Sequence, residues 1–156
     1  MSMPPLLEVR NAQRRVRVDL ALLQQFSERA LHLILKSARI DSGDLQKLRA
    51  VSVVFLSDRR MAALHRQFMN MKGATDVITF QHGEIVVSVE TAQRNAIRFG
   101  TSAREEIKLY IVHGLLHLAG FADTTAAKAR KMEAIQGRVV AAANLAAEAQ
   151  HGGRGI

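Results

Sequence analysis

The run from Leu109 to Ala122, LYIVHGLLHLAGFA, is the most apolar stretch of the chain, and it carries two histidines, His113 and His117. It is shorter than the roughly 20 apolar residues that a membrane helix needs, and too apolar for a surface facing water on all sides. What remains is a helix at the centre of a core, with other elements packed around it. Ser102 and Glu105 stand at capping-box spacing ahead of it. Gly120 offers an end, because glycine takes up the left-handed conformation of a helix terminus without steric cost. With 156 residues, 48% of them hydrophobic, the chain has material for one domain around that helix.

The flanking elements follow from periodicity. Leu6 to Val9 reads as a strand, and Asp19 can cap a helix whose apolar positions, Leu23, Phe26, Ala30, Leu33 and Ile34, carry it to about Lys36. After a polar break at Asp41 to Asp44, Val51, Val53 and Phe55 alternate with Ser52, Val54 and Leu56 as in a well-buried strand. Asp58 is positioned to cap a second helix with Met61, Leu64 and Phe68 as its buried stripe, followed by a loop from Asn70 to Ala74. Val77 to Phe80 and Glu84 to Ser88 are separated only by Gln81, His82 and Gly83, which predicts an antiparallel hairpin. Ser88 caps a short helix ending near Gly100, and Thr124 or Thr125 opens a last helix with Met132, Ile135 and Val139 facing inward. The order β-α-β-α-β-β-α-α-α predicts a single α+β domain over residues 1–150, a small mixed sheet of about four strands covered by helices. A flexible glycine-rich tail is expected at 151–156.

Composition narrows the chemistry. There is no cysteine, so disulfides, thiol catalysis and cysteine-ligated metal are excluded, and any metal must bind through His, Asp or Glu. Lys and Arg number 22 against 14 Asp and Glu, and the net charge of +8 favours polyanionic partners. Met1 to Glu8 lacks the basic-then-apolar pattern of a signal peptide, so the expectation is a soluble, cytoplasmic protein with no membrane partner. Six Phe, one Tyr and no Trp supply few base-stacking rings, so contact with nucleic acid is expected to lean on charge.

On a helix, His113 and His117 sit one turn apart on one face, where both imidazoles can converge on an ion. Asp123 follows closely after Gly120, and at roughly 3.3 Å per residue its carboxylate can swing back over the helix end. Two nitrogens and a carboxylate leave a fourth tetrahedral position for water, the arrangement of a catalytic zinc. The competing reading is a pair of core histidines. Among Ile111, Val112, Leu115, Leu116 and Leu118 each would need a partner, since unsatisfied polar burial costs roughly 1–3 kcal/mol. A metal satisfies both at once, although nickel, iron and manganese accept the same ligand types. The zinc-protease motif has a general-base Glu directly after the first His; here that residue is Gly114.

The segment His113 to Asp123 resembles the H-G-x-L-H-L-x-G-Y-D-H signature of the YbeY family of bacterial rRNA maturation endoribonucleases, in full from His113 to Gly120 and with Phe121 in the aromatic slot. Thr75 to Phe80 is similar to the family's T-D-V-L-S-F, and Gly83 to Ser88 to its G-D-I-x-I-S. The resemblance covers roughly residues 50 to 140. It implies a zinc-dependent endoribonuclease, one Zn2+ per chain, acting on single-stranded RNA in 16S rRNA 3′-end maturation and ribosome quality control. Its partners would be rRNA and the small ribosomal subunit or its assembly factors.

His113, His117 and Asp123 are then the metal ligands, and Thr75 and Asp76 line the site. Three positions depart from the pattern. Ala122 stands for the usual Asp, Asp123 for the third His, and Met69 for an arginine near the scissile phosphate. A carboxylate is an accepted zinc ligand, and would make a bound water less acidic than a third neutral imidazole would. Arg66 or Lys72 could replace the missing charge, although Arg66 reads better as a solvated residue. His65 fits the site or the surface, His82 an exposed turn, and Arg14, Arg15 and Arg17 a solvated basic cluster. The rival readings are a noncatalytic ribosome-assembly or RNA-binding protein with a structural metal, and a zinc hydrolase of another substrate such as a peptide.

Overall fold

The computed structural model describes residues 3–69 and 75–152, so the loop expected at Asn70 to Ala74 and the end of the tail lie outside the described residues. Strand β1 (Leu6–Asn11) is followed by helix α1 (Leu20–Lys36), the short helix α2 (Gly43–Gln46), strand β2 (Ala50–Leu56) and helix α3 (Asp58–Met69). The hairpin strands β3 (Val77–Phe80) and β4 (Glu84–Ser88) come next, then helices α4 (Val89–Phe99), α5 (Ala103–Leu118) and α6 (Ala126–Gly152). The sheet order is β1-β2-β4-β3: β2 runs parallel to both β1 and β4, and only the β3 edge is antiparallel. This is the expected α+β domain with a four-stranded mixed sheet.

Side chains alternate across the sheet as strand geometry requires. Val9, Val51, Val53, Phe55, Ile85 and Val87 join the large core shared with α1, α5 and α6, whereas Val54, Leu56, Val86 and Ile78 face a small cluster with Met61 of α3. Helix α5 runs through the large core, with Ile111, Val112, Leu115 and Leu116 wholly buried. It lies so close to β4 that a Cβ built on Gly114 would come within 2.7 Å of the Ile85 side chain. Gly114 is therefore what lets the helix seat on the sheet, and a glutamate there has no room.

Most helix starts follow the expected chemistry. Asp19 accepts from the Leu22 amide, Ser88 from Thr91, Ser102 from Glu105 and Thr125 from Lys128. Three expectations are corrected. Asp58 is the first residue of α3 rather than its cap; Ser57 takes that place, its carbonyl accepting from Met61 N and its hydroxyl from Arg60 N. Phe68 is not part of a buried stripe. The small cluster beneath α3 takes Met61 and part of Leu64 but not Phe68, which is 57% exposed against the edge of Phe80. Helix α6 runs on to Gly152, so the expected tail begins as helix.

The loop from Ala12 to Asp19 is organised by Gln13. Its amide oxygen accepts from the Arg15 and Val16 amides, and its nitrogen donates to Asn11 Oδ1 and the Val16 carbonyl. Arg14, Arg15 and Arg17 are exposed, on the β1 edge of the sheet. Among the described residues no helix is long and apolar enough to cross a membrane.

Candidate metal centre

The last turn of α5 closes in a Schellman arrangement. Gly120, at φ 110°, donates its amide to the His117 carbonyl at 3.0 Å, and Phe121 donates to the Leu116 carbonyl at 3.0 Å. This turn does more than end the helix, because the Phe121 carbonyl accepts a 2.9 Å hydrogen bond from Nδ1 of His117. A carbonyl can only accept, so Nδ1 carries the proton and the Nε2 lone pair of His117 points outward. His113 is oriented in the same way by α6, its Nδ1 lying 2.9 Å from Oε1 of Gln136.

The two Nε2 atoms meet at 3.0 Å, and Oδ2 of Asp123 lies 3.7 Å from that of His113 and 3.6 Å from that of His117. Two imidazole lone pairs and a carboxylate oxygen at such spacing repel one another unless a cation sits among them. The three expected ligands are thus brought together, half-buried for the histidines and open for Asp123, in a group able to hold a metal ion. Gln136 and the Phe121 carbonyl, which set the tautomers, are the functional groups that sequence reasoning missed. Nothing in the sequence pairs Gln136 with His113, since it lies on another helix.

A cleft of about 540 Å3 opens over the ligands, walled by β3 and the end of α3. Thr75 and Asp76 are among its lining residues. The Asp76 carboxylate is engaged locally: it accepts from the Val77 amide at 2.8 Å and from Thr75 Oγ1 at 3.4 Å. Its backbone carbonyl takes the Ser88 amide, which ties the strand start to the hairpin. His65, Phe68 and Met69 come from α3, whereas Arg66 is exposed and is not among the lining residues, and Lys72 lies outside the described residues. His82 is in the exposed turn, stacked on Phe80 with ring centroids 5.9 Å apart.

Behind His113, a second cavity of about 440 Å3 shares Asp76 and Val77 with the cleft and adds Asn95, Glu106, Tyr110 and Glu133. Burial pushes the Tyr110 phenol up to about 12, with the charges of Asp76 and Glu106 adding to it against the Asn95 hydrogen bond. It stays a neutral hydroxyl. The wall helix α3 is held by Asp58, whose carboxylate accepts from Ser88 Oγ at 2.5 Å and Thr91 Oγ1 at 2.8 Å and pairs with Arg94.

The chain matches the family model described as endoribonuclease YbeY over residues 8–144. The endoribonuclease YbeY of Bacteroides fragilis is 30% identical over 103 residues, 62% of this chain and 74% of that protein. That of Parabacteroides distasonis is 32% identical over 103 residues, covering 62% and 72%. That of Syntrophus aciditrophicus is 27% identical over 128 residues, 74% of each chain. The solution structure of TM1509 from Thermotoga maritima superimposes with a TM-score of 0.62 at 23% identity, covering 86% of this chain and 87% of that one, and supports the fold.

Proposed function

The chain belongs to the YbeY endoribonuclease family, and from that premise we propose that it is a zinc-dependent endoribonuclease that cleaves single-stranded RNA in the maturation of ribosomal RNA, with the 16S 3′ end as the substrate region. The observation that carries the reading is the convergence of His113 Nε2, His117 Nε2 and Asp123 Oδ2 at the floor of a cleft. Two nitrogens and one carboxylate suit zinc with a position left open.

When bound, such an ion supplies Lewis-acid chemistry, polarising a phosphoryl oxygen or making an attacking water more acidic. The protein's own contribution is orientation. Gln136 and the Phe121 carbonyl hold the Nδ1 protons so that both lone pairs face the cleft, and Asp123 offsets only part of a divalent charge, leaving the floor attractive to a phosphodiester. Thr75 and Asp76 brace the β3 wall against which the strand would lie. The net charge of +8 supplies salt-dependent, weakly sequence-selective affinity for the backbone, and the Arg14, Arg15 and Arg17 loop is a candidate for part of it. Selectivity then comes from the ribosomal context, with the small subunit or its assembly factors as partners in the cytoplasm. A peptidase reading has no support, since Gly114 is packed against Ile85 where that chemistry needs its base.

The test is elemental analysis of protein purified without an affinity tag, together with cleavage of a single-stranded RNA spanning a 16S 3′ end. Near one zinc per chain is expected in the wild type and none in His117→Ala or Asp123→Ala, with cleavage lost in both. A folded wild type that takes up no zinc overturns the reading. A second reading, a noncatalytic assembly protein, is favoured by one observation: Met69 lines the cleft, and no Lys or Arg does so among the described residues. Met69→Arg separates the two, since a nuclease short of one phosphate contact gains cleavage rate from it and an assembly protein gains none.

A further inference from the structure

The six phenylalanines are too few to suggest a stacking surface, yet the fold gathers rings at one place. Phe68 lies edge-on to Phe80 with centroids 5.4 Å apart and planes at 80°, and Phe80 stacks on His82 with planes at 27°. Phe68 and Phe80 line the cleft over His113 and His117, and Phe68 is 57% exposed, with its neighbour Met69 at 52%. The part of a phenyl ring left in water gains nothing for stability; that free surface is available to a flat apolar partner. The described cleft wall offers no Lys or Arg, so an RNA strand cannot be held there by ion pairs to those residues.

Resting on the endoribonuclease reading, we propose that Phe68, backed by Phe80 and continued by His82, is a stacking platform for an unpaired nucleobase of the RNA strand crossing the cleft. A ring offers its face to any base, so the platform is tolerant of sequence, whereas a base inside a duplex is already stacked and paired. The row therefore selects single strands where the charge of the protein selects only polyanions. Met69, next to Phe68, adds a polarisable thioether beside the same base.

The experiment measures fluorescence anisotropy of a labelled single-stranded oligonucleotide with metal-free protein in chelator, so that cleavage plays no part, for wild type, Phe68→Ala and Phe68→Tyr. Base–aromatic stacking of roughly 1–3 kcal/mol predicts about tenfold weaker binding for Phe68→Ala, an unchanged dependence on salt, and near wild-type binding for Phe68→Tyr. An oligonucleotide of abasic residues is expected to bind Phe68→Ala and wild type equally. Equal loss on abasic RNA, or no loss on either RNA, overturns the platform while the nuclease reading stands. A wild type that binds no RNA in chelator, and cleaves none once zinc is supplied, overturns both. Light scattering supplies the remaining arm: a dimer that Phe68→Ala makes monomeric, with RNA affinity unchanged, would make this face an interface between copies of the chain and overturn the proposal.

Discussion

The two walls of the cleft are built differently. The ligand wall is the end of α5, a helix whose Ile111, Val112, Leu115 and Leu116 are wholly buried and whose backbone sits in contact with β4. The opposite wall is the end of α3, a helix of 12 residues in which only Met61 is buried. An ion requires its ligands within tenths of an ångström, which only a densely packed element supplies. A nucleic-acid strand requires room, and an element with few apolar contacts opens at low free energy. Precision on one side and adaptability on the other follow from what each helix packs on, α5 being embedded in the large core while α3 covers only the small cluster around Met61.

The strongest way to break this contrast is to disturb the seat of α5. Gly114→Ala is expected to cost about 1–3 kcal/mol in urea denaturation, because the new methyl meets Ile85 and overpacks a full core. The control is Gly137 in α6, where a Cβ meets nothing within 4 Å; Gly137→Ala should stabilise by up to about 1 kcal/mol through helix propensity alone. Equal effects at the two glycines would deny that the ligand wall is close-packed.

Next in size is the orientation of His113. Gln136→Leu keeps the volume and removes the acceptor of its Nδ1 proton, and is expected to weaken metal affinity by about 10–100-fold in chelator competition while leaving the melting temperature nearly unchanged. An unchanged affinity would mean that the packing of α5 fixes the imidazole without help.

The smallest effect sharpens the picture of the α3 wall. Burial pushes the Asp58 carboxyl up, but its hydrogen bonds to Arg94, Ser88 and Thr91 and the Arg94 charge outweigh that and leave it below its ordinary value of 3.8. A folded-state value below the unfolded one contributes stability above the unfolded value, and that contribution is lost as pH falls through the folded one. The urea midpoint of the wild type should therefore exceed that of Asp58→Asn at pH 6, and the gap should close below about pH 4. A constant gap would mean that the Asp58 charge does not hold α3 to α4.

What the sequence reveals of all this is what is local. Ser88, Ser102 and Asp19 are legible as caps because a cap is chosen by the few residues after it. His113 and His117 are legible because helix periodicity alone puts them on one face, and Asp123 because a short length of chain cannot go far. Phe68 is misread for the opposite reason: periodicity gives the side of a helix that faces its neighbours, not how many residues along that side the neighbours cover. Gln136 is invisible because its partner belongs to another helix, and the exchange of Ser57 for Asp58 at the start of α3 turns on ties between Asp58 and α4. The short helix α2 begins within what reads as a polar break and runs past it, its buried Leu45 being a single apolar residue without periodicity.

Phe121 joins two things that are usually separate, since its amide closes the last turn of α5 while its carbonyl fixes the His117 tautomer. Unwinding that turn and freeing the His117 ring from its hydrogen bond are consequently one event. If the site takes up a metal as proposed, native-state hydrogen exchange at the Gly120 and Phe121 amides is expected to report on the ligand set, their protection rising as the metal is added.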